Sequence, residues 1–146
     1  MKIAIVGAGI GGLTAAALLE EQGHQVKVFE KNNSINELSA GIGIGDNVLK
    51  KLGHHDLAKG IKNAGQTLTA MNIYDEQGTP LMCAKLKTHS LNVALSRQTL
   101  IEIIQSYVKE SSIHTGFKVT KIEQTSCKVT LHFIKQESES FDLCIG

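Results

Sequence analysis

By type and spacing, the residues best suited to chemistry are Gly7, Gly9 and Gly12, set as G-x-G-x-x-G, with Glu30 18 residues beyond Gly12. Each glycine has a separate physical job. Gly7 permits a tight turn out of a strand. Gly9 has no Cβ, so a pyrophosphate can approach the backbone, and Gly12 lets a helix pack close to a sheet. A helix starting here turns free N–H groups and the positive end of its dipole toward phosphate. A carboxylate at Glu30 can accept hydrogen bonds from ribose hydroxyls and would repel a 2′-phosphate. The stretch therefore suits an adenine dinucleotide without a 2′-phosphate, FAD or NAD.

The flanking residues supply the elements that such a site needs. Lys2–Val6 is a β-branched apolar run, expected as a buried parallel strand. Gly9–Gln22 is expected as a helix, with Ile10, Leu13, Ala17 and Leu18 giving the spacing and Gly23 the stop. Ala16 and Leu19 extend the face toward the sheet. Gln25–Glu30 reads as a second strand. Lys31–Gly45 reads as a glycine-rich loop, and Asp46 as the cap of a helix through Leu52, followed by a short helical turn over residues 53–61. Strands are then expected at Thr67–Tyr74 and Pro80–Lys87 around the turn "DEQGT", and at Leu91–Leu95. A helix over Arg97–Lys109 presents Leu100, Ile103, Ile104 and Val108, with Ser96 as a cap. Further strands are expected at Ile113–Gly116, Lys118–Gln124, Lys128–Ile134 and Phe141–Ile145. Strand, helix, strand and then meanders imply an α/β fold of the Rossmann-like type: a parallel core sheet with an antiparallel meander and hairpin.

Other reactive side chains carry less. His54, His55 and Asp56 are adjacent in sequence, but neighbouring histidines point apart on a helix and no second ligand pair has useful spacing, so no metal is expected. Cys83, Cys127 and Cys144 are scattered, without C-x-x-C, and read as reduced thiols packed as small buried hydrophobes in a cytoplasm. Tyr74 and Tyr107 are expected to pack rather than act as acids.

Apolar residues make up 42% of the 146 and charged residues 20%, which excludes a disordered chain. A formal charge of +1 without a basic block speaks against nucleic acid or an anionic membrane as partner. Glycines interrupt the apolar start, so it reads as a first strand rather than a leader, and no run is long enough for a membrane span.

Four pieces in order, "GAGIGGLTAAALLEEQGHQVKVFEK", "AGIGIGDNVLKKLG", "LSRQTLIEII" and "FDLCIG", resemble the FAD-dependent aromatic-hydroxylase type of flavoprotein monooxygenase, the salicylate and p-hydroxybenzoate hydroxylase group. The resemblance spans nearly the whole chain. It implies that the turn at Ala40–Gly45 lies near the flavin and that Arg97, opening a helix, contacts the cofactor. Asp46–Asn47 stands where the family often has Pro-Asn. The family continues its hydrophobic-Gly strand end into Ala-Asp-Gly, whereas this sequence stops at Gly146.

The resemblance implies FAD as cofactor, held by Gly7, Gly9, Ile10, Gly11, Gly12, Glu30, Lys31, Gly43 and Arg97, with no catalytic residue and no metal ligand in the chain. It implies an oxidoreductase that uses NAD(P)H and O2 to hydroxylate a small aromatic or related substrate. The alternatives are an NAD-dependent or other flavin oxidoreductase and a non-catalytic dinucleotide-binding module. Residues 1–146 are expected to be the N-terminal part of an FAD-binding domain, inactive alone, with weak FAD binding and a tendency to self-associate through an uncovered face or edge.

Overall fold

The computed structural model describes residues 1–35, 40–52, 55–86 and 91–146. In chain order the elements are β1 (Lys2–Val6), α1 (Ile10–Glu21), β2 (Gln25–Glu30), β3 (Gly41–Ile44), α2 (Asp46–Lys51), α3 (Asp56–Ala64), β4 (Gln66–Thr67), β5 (Ala70–Tyr74), β6 (Pro80–Lys85), β7 (Val93–Ser96), α4 (Arg97–Gln105), β8 (Ile113–Thr115), β9 (Val119–Gln124), β10 (Val129–Phe133), β11 (Glu139–Phe141) and β12 (Leu143–Ile145). A 3-10 turn at Glu110–Ser112 precedes β8. The chain forms two compact units, residues 1–37 with 104–146, and residues 38–103.

The first unit is built on a parallel sheet in the order β12-β1-β2-β8. Its strands alternate between two buried faces, as side chains on a pleated strand must. Ile3 and Ile5 of β1 share one face with Val26 and Val28 of β2, under Leu13, Ala16 and Ala17 of α1. Ala4 and Phe29 point the other way, into a cluster with Val129, Leu131, Phe133 and Phe141. Those four come from the antiparallel sheet β11-β10-β9. The unit thus has three layers: helix, parallel sheet, antiparallel meander.

Phe141–Ile145, expected as one strand, is two. β11 pairs antiparallel with β10, and β12 pairs parallel with β1. Asp142 is the crossing residue: its N–H donates to Lys2 O at 2.8 Å, and its carboxylate accepts from Lys2 N–H at 2.7 Å. An apolar pattern alone does not show a strand changing sheets.

The second unit holds the three-stranded antiparallel sheet β3-β7-β4, the hairpin β5-β6, and helices α2 and α3; α4 begins in it. Several expectations are corrected here. β3, "GIGI", lies in the stretch expected to be loop; its backbone pairs with β7 from Gly41↔Ser96 to Ile44↔Val93 despite glycine's poor strand preference. Thr67–Tyr74 is split, since β4 pairs with β7 and only β5 enters the hairpin. Asp46 is the first residue of α2 and Gly45 its cap position, without a side-chain cap bond. The Asp46 carboxylate instead accepts from Leu91 N–H at 3.0 Å and pairs with Lys50 at 2.6 Å, contacts that hold its pKa below the ordinary value. The turn after Leu52 becomes α3; Gly53 and His54 lie outside the described residues, as do Lys87 and His89.

On α4 it is Ile101, not Ile103, that is buried with Leu100 and Ile104, and the regular helix stops at Gln105. Ser96 caps it as expected, its Oγ accepting from Thr99 N–H at 2.9 Å. Tyr74 and Tyr107 are exposed rather than packed, and so are Cys83 and Cys127; Cys144 alone is half-buried.

Candidate dinucleotide site

The carboxyl ends of β1 and β2 carry the candidate site. The chain leaves β1 through Gly7, whose φ of +104° is open to glycine and strained for other residues. Gly7 N–H donates to Phe29 O at 2.8 Å, fixing the turn against β2. Gly9 then occupies the cap position of α1 in extended backbone, with no side chain capping the helix and no acidic residue in its first turn. Those N–H groups and the dipole end are left for an outside anion.

The three glycines separate cleanly in space. A Cβ on Gly12 would stand 2.0 Å from Gly7 O and 3.3 Å from Ile5 Cγ2, so this glycine serves close packing of α1 on the sheet. A Cβ on Gly9 or Gly11 would meet no protein atom within 4 Å. Nothing in the protein's own packing requires glycine there, which is what a surface reserved for a close-lying ligand looks like.

Glu30 closes β2 beside the turn. Its Oε2 accepts from Ala8 N–H at 3.0 Å and its Oε1 from Asn32 N–H at 2.9 Å. An ionised carboxylate has about four lone-pair directions, so each oxygen keeps capacity for a hydroxyl donor after these bonds. Next to Glu30 lies a cleft of about 190 Å³, lined by Val6, Gly7, Phe29, Lys31, Phe117 and Val119 among others. Val6, Val119 and the two phenylalanines contribute a largely apolar lining.

Phe117 and Val119 were not legible as site residues. They arrive through the backbone bond from Phe117 N–H to Glu30 O, 2.8 Å, after Gly116 turns the chain at φ +75°. The one local signal is the Gly116–Phe117 step between two strands.

Gly43 and Arg97 lie in the second unit, where the β3-β7 pairing brings their segments together. Gly43 pairs with Ala94, and Arg97 N–H donates to Ala40 O at 2.8 Å. Arg97 is half-buried at the start of α4. A Cβ on Gly41 or Gly43 would meet nothing within 4 Å. Among the described residues, no group of three His, Cys, Asp or Glu side chains is arranged to hold a metal, and no helix is long and apolar enough to cross a membrane.

Fold and turn together define a Rossmann-like α/β fold with a glycine-rich strand-to-helix turn. Residues 5–53 match the model of the NAD(P)-binding Rossmann-like domain. The relatives of the whole chain are more particular: they are FAD-dependent monooxygenases of the aromatic-hydroxylase type, matched over their N-terminal region. The chain is 32% identical to the FAD-dependent urate hydroxylase of Klebsiella pneumoniae over 100% of its own length and 40% of that protein's. It is 28% identical to the 6-hydroxynicotinate 3-monooxygenase of Pseudomonas fluorescens, covering 99% of this chain and 40% of that one. The crystal structure of Klebsiella pneumoniae HpxO complexed with FAD and uric acid superposes with a TM-score of 0.83 at 30% identity, over 99% of this chain and 38% of that one. The chain thus spans about 40% of the length of the curated relatives it matches.

Proposed function

We propose that residues 1–146 are the FAD-binding N-terminal part of a flavoprotein monooxygenase that hydroxylates a small aromatic or related substrate with NAD(P)H and O2. One observation carries the reading: an uncapped helix start at Gly9, free of acidic side chains, with the Glu30 carboxylate hydrogen-bonded to the same turn. The residues present fit the cofactor, because a Cβ at Gly9 or Gly11, at the start of α1, would meet empty space. The match to FAD-dependent hydroxylases along the whole chain supports FAD over other dinucleotides.

In this reading the N–H groups of Gly9, Ile10, Gly11 and Gly12 receive the pyrophosphate, Glu30 receives the ribose hydroxyls, and the cleft beside Lys31 takes the adenine. The family resemblance assigns Gly43 and Arg97 to the cofactor as well. FAD supplies the redox chemistry, taking reducing equivalents from NAD(P)H and activating O2 for transfer to the substrate. The protein's part is to bind and orient. The enzyme would work in the cytoplasm, where reduced thiols such as Cys83 persist.

Glu30→Gln keeps the shape and removes the charge. It is expected to weaken FAD binding about tenfold to a hundredfold, since bonds to a charged group contribute ~1.5–3 kcal/mol. Flavin fluorescence titration measures this, and unchanged affinity would overturn the role of Glu30. The match to an NAD(P)-binding domain model favours a second reading, NAD as ligand; tighter binding of NAD than of FAD in the same titration would select it.

Self-association is part of the proposal. On one face of the β5-β6 hairpin stand Met71, Ile73 and Met82, exposed by 50%, 46% and 38%. A second copy of the chain covering this face should give a dimer mass by light scattering. A monomer at high concentration would remove this part alone.

A further inference from the structure

His114 sits in the middle of β8, the edge strand of the parallel sheet, opposite Phe29 in register. Its ring stacks on Phe29 at 5.4 Å with a 24° interplanar angle and meets the edge of Phe117 at 5.5 Å. Its Nε2 is buried and has no hydrogen-bond partner. Phe29 and Phe117 are also two walls of the cleft beside Glu30. One imidazole therefore backs the apolar wall of that cleft from the inside.

We propose that His114 makes this cleft pH-sensitive: protonation of the half-buried ring at its buried Nε2 withdraws its stacked support from Phe29 and Phe117 and weakens nucleotide binding below neutral pH. The inference rests on the reading of the cleft as the nucleotide site.

The surroundings give a proton no help. A protonated Nε2 would be a cationic donor in an aromatic cluster without an acceptor, and such a group keeps its charge only by reaching water. The charged groups on the layers enclosing it are Lys27 of β2 and Glu139 of β11, already joined at 2.7 Å, and Lys2, 3.8 Å from the same Glu139. Lys118, next to Phe117, is exposed. Lys121, Glu123 and His132 belong to the outer face of the meander, because Val129, Leu131 and Phe133 take the inner positions of β10. Burial first, and then the Lys27 charge, lower the His114 pKa from its ordinary 6.5, while Glu139 opposes them.

The sign follows from that direction. A folded-state pKa below the unfolded value means that the unfolded chain takes up the proton first. Stability is complete above about 6.5 and is lost as pH falls from there toward the folded value.

The test compares the full chain with His114→Phe, which keeps a stacking ring and cannot titrate, and with His114→Gln in case the first fails to fold. For the unmodified chain, FAD affinity by fluorescence titration should fall at least fivefold from its value at about pH 7.5 as pH is lowered through the range in which the His114 ring resonances titrate, and the melting midpoint should fall with it. Both variants should show flatter profiles in both readouts. The remaining residues are the same in all three proteins, so the difference isolates His114. The ring proton resonances of His114 should titrate below the ordinary histidine range. Coincident pH profiles, or a ring that titrates at or above its ordinary value, would overturn the inference. Absence of FAD binding at pH 7.5 would instead overturn the proposed function, leaving the melting and resonance data to decide His114 independently.

Discussion

Gly12→Ala should unfold the site from within. The added methyl would stand 2.0 Å from the carbonyl oxygen of Gly7, a backbone atom in a turn already held at φ +104°. A flexible side chain could move aside; this oxygen moves only if α1 lifts from the sheet or the turn opens. Overpacking in a close-packed region costs typically 1–3 kcal/mol, and the rigid obstacle puts Gly12→Ala at about 3 kcal/mol. The melting midpoint should drop by roughly 10 °C and FAD binding should be lost. Gly9→Ala is the matched control. Its methyl meets no protein atom, so its melting midpoint should stay within a few degrees of the unmodified chain while FAD affinity falls at least tenfold. Calorimetry and flavin titration on the pair separate packing from ligand approach. A Gly12→Ala protein that melts with the parent, or a Gly9→Ala protein that binds FAD equally well, would refute the division of labour among the glycines.

Phe29→Ala is the second large effect. Phe29 is 1% exposed and touches four rings, with centroids at 4.8 Å for Phe133, 5.4 Å for His114, 5.6 Å for Phe117 and 5.7 Å for Phe141. It is the main apolar contact of the parallel sheet with the meander, and no flexible neighbour stands ready to fill its space. Phenylalanine truncations in cores cost ~3–5 kcal/mol, a large part of the ~5–15 kcal/mol that holds a domain folded. Urea denaturation should show that loss, with Phe29→Leu costing far less. A loss under about 1 kcal/mol would mean that the two layers do not depend on this ring.

Legibility followed the range of the interactions. β1 and β2 fall at the residues expected from local pattern, and α1 within a residue of them at each end, because an apolar run, a helical spacing and Gly23 are all local signals. The four-piece resemblance likewise points to FAD-dependent relatives, since it rests on contiguous motifs. Elements stabilised by distant partners were not legible. β3 exists because β7 supplies its hydrogen bonds, and β11 ends at Phe141 because Lys2 holds the next residue, Asp142. The burial of Ile101 instead of Ile103 depends on how α4 is rotated, which a window with several apolar residues leaves open. The exposure of Cys83 and Cys127 reflects their place in a hairpin strand and a tight turn, where a thiol's apolar preference is outweighed by topology. The cleft wall at Phe117 and Val119 comes from a segment more than eighty residues beyond Glu30 in sequence, joined to it by one backbone bond.

The crossing at Asp142 has a consequence for synthesis on the ribosome. β1 is translated well before one of its two lateral neighbours, β12, which lies some 140 residues further along the chain. At about 5–20 residues per second, that flank of the nascent strand stays unpaired for roughly ten to thirty seconds. During that interval an apolar strand with open amide and carbonyl groups invites chaperone binding, and the central sheet stays incomplete until Leu143–Ile145 have left the ribosome.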